Sequence, residues 1–512
     1  MERNFWKKFH QKKILEQSWL LESKERVDKG RALMPEVSNM AVQLNYLAKN
    51  GWKPENPDEN YVITMIKVEL DEEAIKEAKY SHLKKGEKKI DRLFEDAAST
   101  IAAESSTGTW TRVYSGKDSG IPLAEKIKAL AYDLDYERHI FKVAYPIILF
   151  EMNNLSGLLA GIAGNIAGMK MISAMRIYDI RFPKKMIDAF PGPRFGVSGV
   201  RKLLKKKKGC LICTVPKPKI GRTDEEQARL AKILFTSGKG TYEGIKDDEN
   251  LTNLKFNMFE KRARLILKEL KEAERKTGNR KFYLCNTTHS DINEMLKRAK
   301  VIKENGGIFM MMDVVTTGFA AVDTVRRNNP GLAIHAHRAM HGFMTRDNSP
   351  GIHGKGKLYG FSISMIVLAK LFRLLGVDSL HGGSPLAKME DYGEAIYIKD
   401  ILQEKNLKPH KIIPSLGQNW HHIKPVWMTA SGGLHPGDFE TVLSELGDDI
   451  IIQCGGGLLG HPDGIEAGVK AIEQARELWE KGISNKEFVE KNPDSELAKA
   501  IKLWGYGPRI VY

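Results

Sequence analysis

The chain has 512 residues, 42% of them hydrophobic, which allows a sizeable buried core in more than one domain and argues against a disordered chain. Its 80 Lys and Arg outweigh 64 Asp and Glu, giving a formal charge of +16 that suits phosphorylated ligands, nucleic acid or acidic membranes without choosing among them. No apolar run reaches the roughly 18 residues of a membrane span. The opening MERNFWKK lacks the apolar stretch of a secretory signal, so a cytoplasmic protein without membrane association is expected. The densest basic run, 201–208, reads as a solvated helix end or loop. It has no interleaved aromatics, so no nucleic-acid partner is expected. The four cysteines, Cys210, Cys213, Cys285 and Cys454, make no disulfide framework. The Cys-x-x-Cys pair sits in an apolar run, CLICTV, that reads as a buried strand.

In chain order, residues 1–58 are polar and basic and read as a helical extension. Residues 61–70 (YVITMIKVEL) read as a strand, followed by a charged helical stretch to about 103. Further strands are predicted at 109–114, 138–144 and 175–182, with a small-residue helix at 155–168. This order predicts an α+β, ferredoxin-like unit over 59–192. From about 209 the pattern changes. Short apolar runs at 210–215, 240–245, 282–285, 308–314, 332–335, 378–381, 426–430 and 450–454 alternate with amphipathic helices such as 224–235, 259–275 and 465–479. Eight strands alternating with helices predict a TIM (β/α)8 barrel over 193–512, with C-terminal helices.

Polar groups follow each of these runs: Lys217 and Lys219, then KDDE at 246–249, Asn286, Asp313, His337 with Arg338, His381, Ser431-Gly432-Gly433, and Gly455-Gly456-Gly457. In a barrel, all C-terminal strand ends open on one mouth. Singly, a charged run is a solvated loop and a glycine run a turn. Jointly they describe a pocket with phosphate sites at opposite ends and carboxylates for a hard cation between them, which fits a bisphosphate with an oxygen-rich middle.

The motifs AAESSTGTW (102–110), GNIAGM (164–169), VPKPKIG (215–221), KDDEN (246–250), HAHRAMH (335–341), SGGLHPG (431–437) and GGGLLGHPDG (455–464) closely resemble the Rubisco large-subunit family over about 102–482. KDDENLT and LAIHAHRAMHG look most like its form III, archaeal-like branch. The resemblance implies a ribulose-1,5-bisphosphate carboxylase with oxygenase side activity, making two 3-phosphoglycerates from the bisphosphate, CO2 and water through a magnesium-bound enediolate. It implies Mg2+ held by Lys246, as a carbamate formed from an activating CO2, with Asp248 and Glu249. It makes Lys217 a proton donor or acceptor tuned by Lys219, His337 a proton handler in hydration and cleavage, and Lys388 a lid lysine paired with Glu104. Asn165 contacts the metal-bound substrate. Arg338, His381 and Ser431 bind one phosphate; Gly432, Gly433, Gly455 and Gly456 bind the other with Thr109 and Trp110. Glu104, Thr109, Trp110 and Asn165 reach the partner subunit's site, so a homodimer or an oligomer of dimers is implied, with no small subunit. Form III resemblance also implies a role in AMP or nucleoside salvage.

The sequence departs from the family at the lid, HGGSPLAK (381–388), where Pro385 stiffens the loop, at the longer connection 347–358, and in the first 58 residues. Two other readings compete. A Rubisco-like enolase or isomerase of sulfur salvage shares barrel and metal site but lacks several of the lysines and histidines present here. A basic RNA-binding or scaffold protein accounts for the charge and leaves the polar strand ends without a cause.

Overall fold

The computed structural model describes residues 46–78, 80, 83, 86, 88–109, 121–346, 354–386 and 392–507. The first unit is a five-stranded sheet. Its order is Phe361–Ile363, Ile172–Arg181, Tyr61–Leu70, Ile140–Pro146, Leu130–Asp135. Without Phe361–Ile363 it is an antiparallel strand–helix–strand–strand–helix–strand unit, the ferredoxin-like arrangement. Tyr61–Leu70 reads as a nearly unbroken apolar run because both of its faces are covered. Val62, Ile66 and Val68 join the core with Phe94, Ala97 and Ile101 of the helix Lys89–Glu104. Ile63 and Met65 point the other way, onto Tyr132, Tyr178 and Leu416.

Several expectations shift here. Leu130–Asp135 is a strand the apolar pattern does not reveal. The helix expected over 155–168 ends at Ala163, and Ile166–Gly168 forms a separate 3-10 turn. Thr109 is not in a strand, and 110–114 lie outside the described residues. Of the expected helical extension, 1–45 lie outside them too, and Leu47 forms a bridge to Ala131 at the sheet edge. Phe361–Ile363, from a stretch read as barrel, instead adds a parallel strand beside Ile172–Arg181. Part of the long connection 347–358 is anchored nearby: Lys67 Nζ donates to the carbonyls of Gly354 (2.8 Å) and Gly356 (2.7 Å).

The second unit is a ring of eight parallel strands: Leu211–Thr214, Gly244–Lys246, Phe282–Leu284, Phe309–Asp313, Ala333–His337, Ser379–His381, Trp427–Ala430 and Ile450–Gln453. Each pairs with its chain neighbour, and the eighth pairs with the first. The third and fourth close the ring, with Met311 N donating to Cys285 O (2.8 Å) and Thr287 N to Met311 O (2.9 Å). Nearly every residue of these strands is buried, as expected where helices wrap the outside. The first of those helices, Asp224–Thr236, begins at a capping box formed by Thr223 and Glu226.

The helix Met365–Leu375 is buried on all sides because it wedges between barrel and sheet. Within it Lys370 forms a fully buried ion pair with Asp179 of the sheet (2.7 Å), and Asp179 also accepts from the Leu416 backbone N–H (2.6 Å). Burial pushes the Asp179 carboxyl up and the Lys370 ammonium down, each partly offset by the other. The pair therefore ties three segments together at a desolvation cost. Among the described residues no helix is long and apolar enough to cross a membrane.

Candidate active site

The second barrel strand ends at Lys246, which is 1% exposed and whose Nζ donates to the Asp247 carbonyl (2.7 Å). Burial lowers its ammonium from the ordinary lysine value, and the carboxylates of Glu249, Asp313 and Asp248 only partly restore it. The next three residues split by direction. Asp247 turns outward into a buried clamp: it accepts from Arg262 Nε (3.2 Å), Tyr283 OH (2.7 Å) and Asn286 N (3.0 Å). Arg262 also donates to the carbonyls of Leu251, Thr252 and Asn257, so one guanidinium pins the whole loop. Asp248 and Glu249 meet the two lysines of the first loop. Lys217 Nζ lies 3.5 Å from Asp248 Oδ2, and Lys219 Nζ lies 2.7 Å from Glu249 Oε1. Burial raises the Glu249 carboxyl, but Lys219, a backbone N–H, His337 and Lys246 outweigh it and hold it well below the usual range.

His337 closes this group from the fifth strand, with Nε2 3.9 Å from Glu249 Oε2 and Nδ1 2.7 Å from Asp313 Oδ1. Burial and Lys246 lower its pKa, against Asp313 and Glu249. The His381 ring centroid stands 4.7 Å from that of His337. His381 Nδ1 is 3.0 Å from Ser431 Oγ, while its buried Nε2 has no hydrogen-bond partner among the described residues. Arg338 follows His337 and is 6% exposed. Gly432 and Gly433 have φ of +117° and +91°, a conformation L side chains rarely adopt. A Cβ at Gly455 would lie 3.1 Å from Lys217 Cε, and one at Gly457 would lie 2.2 Å from the Leu434 carbonyl oxygen. The two glycine loops therefore touch each other, and one of them touches Lys217.

Of the residues expected in the site, the structure thus gathers Lys217, Lys219, Lys246, Asp248, Glu249, His337, Arg338, His381, Ser431, Gly432, Gly433, Gly455 and Gly456 at the C-terminal ends of the barrel strands. Glu104, Thr109 and Asn165 are not among them. All three are exposed on the N-terminal unit, and among the described residues no hydrogen bond or ion pair joins them to the mouth. Trp110 and Lys388 lie outside the described residues. Arg262 is a structural partner of the site that pattern reading did not single out, although an arginine on the apolar face of 259–275 was a usable signal for it. Asp247 and Asp313 read as polar strand-end groups in the sequence, but their partners depend on strand register and on distant segments. A cavity of about 800 Å³ lined by Trp52, Tyr132, Lys142 and Arg181 sits against the N-terminal sheet instead of the mouth. Of the cations that line it, Lys142 and Arg181 pair with Asp133 and Asp58.

Residues 196–504 match the ribulose bisphosphate carboxylase large chain catalytic domain, and 87–186 match the N-terminal domain of the same chain. The chain is 42% identical over 415 residues to a ribulose bisphosphate carboxylase of Methanocaldococcus jannaschii, covering 80% of this chain and 94% of that one. It is 42% identical over 422 residues to that of Archaeoglobus fulgidus, covering 80% and 91%. Among solved structures, a dimeric archaeal Rubisco from Hyperthermus butylicus superposes with a TM-score of 0.76 at 38% identity, covering 90% of this chain and 99% of that chain. An octameric Rubisco from Pyrococcus horikoshii superposes with a TM-score of 0.75 at 36% identity, covering 90% and 96%. The chain belongs to the ribulose bisphosphate carboxylase large-chain family, on the side of its archaeal, form III-like members.

Proposed function

We propose that this protein carboxylates ribulose-1,5-bisphosphate at the barrel mouth, releasing two 3-phosphoglycerates, with O2 as a competing substrate. The observation that carries the reading is the meeting of Lys246, Asp248, Glu249, Lys217 and His337 within a few ångströms, although they span 120 positions of sequence. The family requires Mg2+ and a carbamylated lysine. Lys246 suits that modification: burial drives it toward the neutral amine that attacks CO2, and the resulting oxygens would stand beside Asp248 and Glu249 to hold the ion. When bound, Mg2+ supplies positive charge that acidifies the substrate carbon to be deprotonated.

The chain's own groups do the rest. Lys217 exchanges protons with the reacting carbons, and Lys219, paired with Glu249, tunes it. His337 presents Nε2 toward the same space. Arg338, His381 and Ser431 hold one phosphate. Whichever tautomer His381 adopts, the His381–Ser431 pair keeps one N–H or O–H not spent within the pair. Gly432, Gly433, Gly455 and Gly456 offer backbone N–H groups to the other phosphate, with Thr109 and Trp110. Lys388 covers the substrate and Glu104 pairs with it, while Asn165 meets the substrate beside the metal.

We assign Glu104, Thr109, Trp110 and Asn165 to the partner subunit's site in a homodimer or larger assembly of dimers without small subunits. The exposure of Glu104, Thr109 and Asn165 supports this, as do the apolar side chains left bare on the segments that follow the strand ends: Ile220, Phe256, Met258, Met340 and, at 93% exposure, Phe343. Units spanning 59–192 and 193–512, a cytoplasmic location and a place in AMP or nucleoside salvage complete the proposal. Incubation with Mg2+, labelled bicarbonate and ribulose bisphosphate tests it: labelled 3-phosphoglycerate is expected. Enolisation without carboxylation would favour the enolase or isomerase reading.

A further inference from the structure

Asp313 ends the fourth barrel strand and His337 the fifth, and the two are register partners across that parallel pair. Register brings the carboxylate to the imidazole, Oδ1 to Nδ1 at 2.7 Å. The carboxylate is itself held: Thr288 Oγ1 donates to Oδ2 (3.1 Å), and the Asp313 backbone N–H contacts the same hydroxyl (2.9 Å). Thr316 and Thr317 hydroxyls donate to the Asp313 carbonyl, each at 3.0 Å, which fixes the strand end. Asp313 is 3% exposed, so water competes little for these bonds. An ionised carboxylate only accepts, so Nδ1 must carry the proton. The lone pair of the neutral ring is then on Nε2, on the side that faces Glu249.

We infer that Asp313 is a positioning residue that holds His337 as its Nδ1–H tautomer with Nε2 open to the substrate's oxygens. The inference rests on the carboxylase reading only for what His337 acts upon. An orienting carboxylate behind a working histidine sets both ring angle and tautomer, and loss of such a partner costs about 10- to 100-fold in function. Asparagine at 313 keeps the shape but can turn its amide N–H toward Nδ1, which moves the ring proton to Nε2.

The test uses the full-length protein labelled with 15N-histidine, in solid-state NMR, with His337→Gln to assign the signal. The wild type should show Nδ1–H at His337, and Asp313→Asn should show Nε2–H. In turnover assays Asp313→Asn should lose about 10- to 100-fold in kcat with KM for the bisphosphate within about threefold, and Asp313→Glu should recover part of it. Solvent-proton exchange at the substrate carbon, which precedes His337's steps, should survive in Asp313→Asn. An unchanged tautomer, or unchanged kcat, overturns the inference. Expected tautomers in a wild type without any carboxylation would uphold the dyad and contradict the carboxylase reading.

Discussion

The two ends of the barrel carry similar charged residues and use them differently. At the floor, where the strands begin, the buried acids Glu243 and Glu473 are saturated. Arg476 Nη1 donates to both oxygens of Glu243 (2.7 and 3.0 Å), which also takes the Ile212 N–H (3.0 Å) and pairs with Lys206. Glu473 accepts the backbone N–H groups of Lys239 (2.8 Å) and Thr241 (2.9 Å) and the Thr241 hydroxyl (2.6 Å). At the mouth, contacts of 3.5 and 3.9 Å and an unpartnered His381 Nε2 leave polar capacity unspent. A saturated network resists unfolding; an unsaturated one is shaped for a ligand that supplies the missing partners.

Substitutions at the two ends should therefore fail in different assays. Arg476→Met leaves Glu243 with Lys206 as its remaining cation and should cost about 1–3 kcal/mol of stability, read as a lower denaturation midpoint, while the folded fraction keeps its kcat. If instead kcat falls with stability intact, the two ends are not separate in function. His381→Ala should leave the midpoint nearly unchanged. It should raise KM for the bisphosphate about 10- to 100-fold, the equivalent of one hydrogen bond to a charged group at about 1.5–3 kcal/mol.

Mixing Lys246→Ala and Glu104→Gln chains, each inactive alone, should restore about a quarter of wild-type activity, since in a two-fold dimer only one site in each mixed pair is complete. No recovery would mean that Glu104 serves its own chain. A smaller, few-fold effect is expected from pH during activation by CO2. Burial places Lys246 below the ordinary lysine value of 10.5, so its neutral amine grows as pH rises and activation should accelerate, levelling off below that value. A plateau only above it would contradict the buried environment.

Much of this contrast was legible in the chain. The barrel strands are mostly apolar because helices cover them, and the polar residue at or after the end of each run is where the run leaves the core. The strand Leu130–Asp135 was not legible: it lies at a sheet edge, and its acidic residues reach solvent, so LAYDLD has no clean alternation. Phe361–Ile363 is three residues long and is a strand only because Ile172–Arg181 lies beside it. In KDDE, composition does not say which aspartate faces inward; Arg262 and Tyr283, distant in sequence, take Asp247 outward. The same limit hid the Asp313–His337 contact, a product of register between strands 24 positions apart. Lys388, read from its motif as a lid lysine, and Trp110 fall outside the described residues.

The most direct test compares wild type with Lys246→Ala for incorporation of labelled CO2 into 3-phosphoglycerate, alongside the denaturation midpoint of each. A loss on the order of 10³-fold or more with an unchanged midpoint is the expected result. A variant that still fixes CO2, or a wild type that fixes none, would contradict the placement of the chemistry at Lys246.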